Sequence, residues 1–209
     1  MLPWQTTGCY SRTQRPGRRF IIAICPHWSQ AGRMYFVTFR LADSIPAERA
    51  AELRRDREAW CNAHPEPRAR ADWEQYHTLF SVRIEQWLDQ CAGTCLLADP
   101  SCAQIVVDAL GTFDRQRYHL DEWVIVPNHV HVLVAPKEGL ALEDILQAWK
   151  SFTSHAINRH LSRHGQLWQR ESFDHIVRSP AHLERFRQYI CDNPAKAGRF
   201  APLCRLRSS

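Results

Sequence analysis

The sequence has no Cys-x-x-Cys pair, no apolar stretch long enough to cross a bilayer, and no acidic residue among its first 33 positions. Without paired spacing, the eight cysteines (Cys9, Cys25, Cys61, Cys91, Cys95, Cys102, Cys191 and Cys204) do not read as a disulfide framework. They are expected to be reduced, mostly structural thiols in a cytoplasmic protein. The apolar run near the N-terminus, Phe20 to Cys25, is too short for a secretory h-region, is closed by Pro26 and precedes no small-residue cleavage site. A transmembrane span and membrane association are therefore not expected. The five arginines of residues 1–33 face no acid and are joined by Pro16-Gly17, so this stretch reads as a mobile basic leader, or as the product of a misassigned start codon.

What is present suits one domain. A chain of 209 residues that is 44% hydrophobic can bury a core without covalent staples. The formal charge of +5 is unevenly placed: residues 1–141 hold 16 Lys/Arg against 16 Asp/Glu, and residues 142–209 hold 11 against 6. The basic last third also carries Trp149, Phe152, Trp168, Phe173 and Phe186. Cations that collect phosphates and rings that stack on unpaired bases fit a polyanionic partner; the charge by itself fits a solvated basic face as well.

Periodicity predicts the elements. Met34 to Leu41 (MYFVTFRL) suits a half-buried strand. A charged helical pattern runs from Pro46 to Asn62, His64-Pro65-Glu66-Pro67 breaks it, and Trp73, Tyr76, Phe80, Ile84 and Trp87 recur at helical spacing, giving a helical insertion over about residues 46–90. Asp99-Pro100-Ser101 opens a helix with the stripe Ile105, Val106, Ala109, Leu110 and Phe113. Two strands, Tyr118 to Val126 and His129 to Ala135, flank a Pro127-Asn128 turn. A helix from about Leu142 to Leu161, an extended segment from Leu167 to Val177 and a last helix from Pro180 to Asn193 complete the domain, leaving 199–209 as a tail. The predicted class is α+β: a ferredoxin-like, split βαβ antiparallel sheet over residues 34–198, with both helices on one face and the other face free for a site.

Two patterns point to chemistry. In a strand, residues i and i+2 share a face, so His129 and His131 project together while Val130, Val132 and Val134 enter the core. Two adjacent imidazoles can share a metal ion, although eleven histidines in this chain produce roughly half an HxH pair by chance. On the last helix, capped by Ser179 and begun by Pro180, Tyr189 falls roughly 90° from the Leu183, Phe186 and Ile190 stripe, with Asn193 about 40° from Tyr189 on the same shoulder. These positions fit a boundary tyrosine beside a helix-ending asparagine. They also fit a tyrosine nucleophile for a phosphodiester beside a cation held by His129, His131 and Asn193, mixed ligation that suits magnesium, manganese or another first-row ion.

VPNHVHVLVAP (Val126 to Pro136), GQLWQRESFDH (Gly165 to His175) and RQYICDNPAKAG (Arg187 to Gly198) together resemble the REP-associated tyrosine transposases and the wider single-tyrosine HUH family. The resemblance runs from about Met34 to Gly198. It implies metal ligands at His129, His131 and Asn193, a nucleophile at Tyr189, a divalent cofactor (Mg2+ or Mn2+), and single-stranded or hairpin DNA cut to leave a 5′-phosphotyrosine and a free 3′-hydroxyl. It also implies a cytoplasmic, nucleoid-associated protein, either a monomer or a homodimer that exchanges the tyrosine helix. Lys150 is an expected phosphate contact, and Trp168, Arg170 and Phe173 are expected hairpin contacts. His175 and His182 read as surface histidines without a role. The competing readings are a non-catalytic nucleic-acid-binding module, disfavoured by the lack of RNP-like aromatics, a metal-dependent hydrolase with a structural Tyr189, and a domesticated nickase or regulator.

Overall fold

The computed structural model describes residues 32–196 and 203–205. Most of the basic leader and of the C-terminal tail lies outside them. Five strands, β1 (Tyr35–Arg40), β2 (Tyr118–Val126), β3 (His129–Pro136), β4 (Phe173–Ile176) and β5 (Leu203–Arg205), form one sheet in the order β4-β1-β3-β2-β5, with every neighbouring pair antiparallel. The helices are α1 (Ala47–Ala63), α2 (Arg70–Tyr76), α3 (Val82–Leu88), α4 (Pro100–Gly111), α5 (Leu142–His160) and α6 (Pro180–Lys196). Without α1 to α3, the order of the first four strands and their two crossover helices is the ferredoxin-like arrangement expected.

Alternation along the strands builds the main core. Tyr35, Val37 and Phe39 of β1 and Val130, Val132 and Val134 of β3 share one face with α4 (Val106, Leu110) and α5 (Ile145, Trp149, Ile157). Asp99 caps α4, its Oδ1 accepting from the N–H groups of Ser101 at 2.7 Å and Cys102 at 3.3 Å, with Pro100 at the first helical position. Phe113, expected on the α4 stripe, stays 41% exposed because the helix ends at Gly111.

The opposite face is not free, contrary to expectation. Phe36, Val124, Val126, Leu133 and Val177 pack there beneath Ile190 of α6. The insertion forms its own apolar cluster (Leu53, Trp60, Tyr76, Phe80, Ile84, Leu88), which Phe173 of β4 joins. A single π-helical turn, His77–Ser81, lies between α2 and α3, so the expected long helix is continuous but offset by one residue in the middle. Among the described residues, α6 and the inserted helices thus cover the face opposite α4 and α5.

Three other expectations shift. The extended segment from Leu167 to Val177 forms a strand only at Phe173–Ile176, with an isolated bridge between Leu41 and Trp168. α6 runs past Asn193 through Pro194 to Lys196. Here proline forgoes a single hydrogen bond in the final turn. The short β5, which pairs with β2, carries no readable alternation at three residues. The six described cysteines that are assigned a state are free thiols, as expected. No described helix is long and apolar enough to cross a membrane.

Candidate active site

Strand β3 sets both imidazoles on the α6 side of the sheet, where they are buried, at 2% exposure for His129 and 0% for His131. Their Nε2 atoms lie 2.9 Å apart. Each Nδ1 is held from behind: His129 Nδ1 lies 2.7 Å from Asn128 Oδ1, and His131 Nδ1 lies 2.7 Å from Thr38 Oγ1 on β1. Partners of this type fix a ring's rotation and aim its other nitrogen.

Helix α6 delivers the tyrosine. Ser179 caps it, with Oγ accepting from the His182 N–H at 3.1 Å. Ile190 is fully buried against the sheet, and the Phe186 ring stacks on Phe36 at 4.3 Å between centroids. The Tyr189 ring then stands edge-on to both His131, at 5.1 Å, and Phe36, at 5.7 Å. Burial first, then the charges of Glu85 and Asp89 from the insertion, push the Tyr189 phenol above its ordinary pKa; the neighbouring Asn193 side chain pulls the other way. Asn193 is itself 2% exposed, and its Nδ2 makes no hydrogen bond among the described residues. A buried carboxamide with spare polar capacity fits a group that is shared with a ligand.

A β-bulge anchors this helix. The pairing of β2 with β3 shifts register between Leu120 and Trp123, so Tyr118, Leu120, Trp123 and Ile125 all remain on the main-core face while Asp121 and Glu122 occupy the irregularity. Arg187, two residues before Tyr189, donates to Asp121 Oδ2 from Nη2 at 2.6 Å and from Nε at 3.1 Å. Burial opposes the Arg187 charge, but its bonds to Asp121 and Glu184 outweigh that and hold its pKa above the ordinary value.

The donor chemistry fits a divalent cation. Two imidazole nitrogens converge, and a buried carboxamide stands next to Tyr189, giving a mixed nitrogen and oxygen set. A separate cluster, Asp99, Cys102 and His160, brings three ligand atoms within 4.8 Å of one another. It lies at the ends of α4 and α5, apart from the paired histidines, and the Asp99 carboxylate is already engaged in capping α4.

Of the expected DNA contacts, Arg170 alone is exposed. Lys150 instead clamps a loop: Nζ donates to the carbonyls of Gln169 and Arg170, each at 3.1 Å, and approaches that of Glu171 at 3.5 Å. Trp168 is a core residue at 4% exposure, with Nε1 donating to Thr153 Oγ1 at 2.8 Å and its ring against Phe39. Phe173 packs on the insertion cluster beneath the Arg57 guanidinium, 5.6 Å from its centroid. Of the aromatics that suggested stacking on bases, Trp149 and Trp168 are core residues and Phe173 and Phe186 are packed on clusters, whereas Phe152 stays 58% exposed.

Burial, with the Arg40 charge adding to it and Glu171 opposing, pushes the Lys150 pKa down to about 8. The unfolded chain therefore binds this proton more tightly than the native one, and the penalty is fully present below about pH 8. Relative to Lys150→Met, stability should rise with pH from about 8 to the ordinary lysine value, by at most about 1.4 kcal/mol per pH unit. Urea melts of both proteins at pH 7 to 10 check this; parallel curves would exclude it.

His175, expected at the surface, lines a cleft between the sheet (Phe36, Thr38) and the insertion (Ile84, Glu85, Leu88). Its ring lies 4.8 Å from that of His77 in the π turn. Burial first, then the nearby His77, lowers the His175 pKa to about 4, and burial lowers that of His77. Both rings are neutral in the folded state and charge on unfolding, so stability should fall as pH drops from about 6.5 toward 4. A His175→Phe variant should flatten this acid slope in thermal melts, and an unchanged slope would assign acid sensitivity elsewhere.

Thr38, Asn128, Arg187 and the Asp121-Glu122 bulge were not singled out from sequence. A polar Thr38 in register with His131 in an apolar strand, and the asparagine immediately before the histidines, were the available signals.

Comparison with known proteins follows the same residues. A family model described as "Transposase IS200 like" matches residues 107–193, a segment that contains His129, His131, Tyr189 and Asn193 and excludes β1 and the insertion. Two solved structures are also similar. One is a REP-associated tyrosine transposase bound to a REP hairpin (17% identity, TM-score 0.48, covering 88% of this chain and 75% of that one). The other is a candidate transposase from Deinococcus radiodurans R1 (13% identity, TM-score 0.34, covering 86% of this chain and 98% of that one). No curated protein matches the chain. The family match bears out the resemblance read from the motifs and supports a transposase role.

Proposed function

We propose that this chain, in which residues 107–193 are similar to IS200-like transposases, nicks and rejoins single-stranded DNA through Tyr189, on hairpin or repeat sequences. One observation carries the reading: the His129 and His131 Nε2 atoms meet at 2.9 Å, and the Tyr189 ring stands 5.1 Å from His131. A paired-imidazole site and a buried phenol lie side by side, contributed by a strand and a helix far apart in sequence.

In the proposed reaction the Tyr189 oxygen attacks the scissile phosphorus, forming a P–O bond as the bond to the 3′ oxygen breaks. The phenolic proton is lost, and the departing 3′ oxygen gains one to become a hydroxyl. The phosphotyrosine ester retains the energy of the original linkage, so a 3′-hydroxyl can later reverse the step. His129, His131 and Asn193 would hold a divalent cation, Mg2+ or Mn2+, which supplies Lewis-acid withdrawal of charge from the phosphate. Phe36 and Phe186 orient the tyrosine ring, and the Arg187 to Asp121 ion pair holds its helix on the sheet. Because Tyr189 sits beside the histidines of its own chain, one subunit contains every proposed part.

The test uses single-stranded oligonucleotides copied from DNA flanking the gene, labelled at either end, incubated with Mn2+ or Mg2+ and resolved on denaturing gels. An adduct carrying the 3′-side fragment, absent from Tyr189→Phe and His131→Ala, is the expected result. Binding without cleavage by the folded, metal-loaded protein would favour a non-catalytic module.

A further inference from the structure

Asn128 is completely buried and bridges the inserted helices to the candidate metal ligand. Its Nδ2 donates to the Leu88 carbonyl at the end of α3, at 3.1 Å, and its Oδ1 lies 2.7 Å from His129 Nδ1. A carboxamide has one donating and one accepting end. The Leu88 carbonyl only accepts, so it selects Nδ2 and turns Oδ1 toward the imidazole. The flipped amide would set two oxygens against each other at Leu88. Because Oδ1 only accepts, neutral His129 must carry its proton on Nδ1, which leaves the lone pair on Nε2, the atom facing His131.

The turn itself is held at two further points. The Leu41 N–H donates to the Asn128 carbonyl at 2.9 Å, and the Leu97 N–H to the Pro127 carbonyl at 3.1 Å. Thr38 behaves differently from Asn128. Its hydroxyl, 2.7 Å from His131 Nδ1, can donate or accept, so it imposes no tautomer on that ring.

We infer that Asn128 is a positioning residue that uses the Leu88 carbonyl to preset the His129 tautomer, which makes the insertion part of the support of the candidate metal centre. The inference rests on the reading of His129 and His131 as ligands. His129 is presented in its ligating form before any ion arrives. His131 adapts: alone, its Nε2–H donates to His129 while Thr38 donates to its Nδ1, and as a ligand it carries the proton on Nδ1 while Thr38 accepts. Outer partners that orient ligating histidines change metal affinity by about 10- to 100-fold.

The experiment is long-range 1H–15N NMR of the metal-free protein carrying 15N-labelled histidine, together with Mn2+ titration calorimetry. In the wild type, His129 Nδ1 should be protonated and Nε2 bare, and the Asn128 side-chain amide should exchange slowly with solvent. Asn128→Ala should show mixed His129 tautomers and about 10- to 100-fold weaker Mn2+ binding, and Asn128→Asp, which keeps the acceptor, should restore the Nδ1–H form. An Nε2-protonated His129 in the wild type overturns the inference without any variant, as does Asn128→Ala with unchanged tautomer and affinity. Absence of Mn2+ binding by the wild type would instead sink the metal reading, since the tautomer spectra are recorded without metal.

Discussion

Tyr189→Phe should leave no covalent protein–DNA adduct and slow strand joining by at least about 10³-fold, the scale on which removal of a nucleophile acts. The change deletes one oxygen and leaves the ring contacts with Phe36 and His131 in place, so the fold and any metal site should survive. That separation gives the experiment its power. If water were the nucleophile, neither protein would form an adduct and the variant would retain cleavage. The direction of the tyrosine pKa sharpens the expectation: in the metal-free protein burial, Glu85 and Asp89 all favour the protonated phenol. The proton must leave during attack, and the rate should rise with pH through the neutral range. End-labelled oligonucleotides assayed from pH 6 to 9, with the melting temperature of the variant measured alongside, check both statements.

The largest loss of stability is expected from Arg187→Met. The Asp121 side chain is 5% exposed and the Glu122 side chain 8% exposed, and both lie in the β2 bulge facing this guanidinium. Removing the guanidinium takes two short charge-assisted hydrogen bonds from a poorly solvated carboxylate, at a cost of about 3 kcal/mol. Because Arg187 lies one helical turn from both Glu184 and Cys191, on the helix that carries Tyr189, the loss should appear first as loosening of α6. Urea unfolding should show the destabilisation, and amide exchange in α6 should quicken more than in α4 or α5. Adding Asp121→Asn should cost less in the Arg187→Met background than in the wild type, because the ion pair that it would break is already absent. If Arg187→Met behaves like an ordinary surface substitution, the bulge carboxylates are satisfied by other groups, and α6 is held by Phe186 and Ile190 alone.

Several features are legible in the sequence alone. Strict alternation over His129 to Val134 separates two imidazoles from three core valines, because successive strand side chains point to opposite faces whatever surrounds them. Ser179-Pro180 marks the start of α6 by local capping chemistry, and the helical spacing of Tyr189 and Asn193 places them together by geometry alone. The order of strands and helices then restricts the topology to very few arrangements. These are short-range properties, determined by backbone periodicity.

What the sequence leaves undecided depends on separations of tens of residues. Nothing near Trp168 tells whether its ring meets DNA or, as here, Phe39 and Thr153; nothing near Lys150 tells that three carbonyls of a later loop surround its amine. The β2 bulge, which turns two acids toward Arg187, becomes visible only through the pairing of β2 with β3. The same holds for the insertion. Its amphipathic helices could be read as helices, but their placement over the open sheet face follows from burying Phe80, Ile84 and Leu88 with Phe173. By itself the sequence determined the longer helices and strands and which of their side chains share a face, though not the three-residue β5. The tertiary structure decided which of those faces meet, because burial and hydrogen bonding are settled between partners, such as Leu88 and Asn128, that local periodicity cannot bring together.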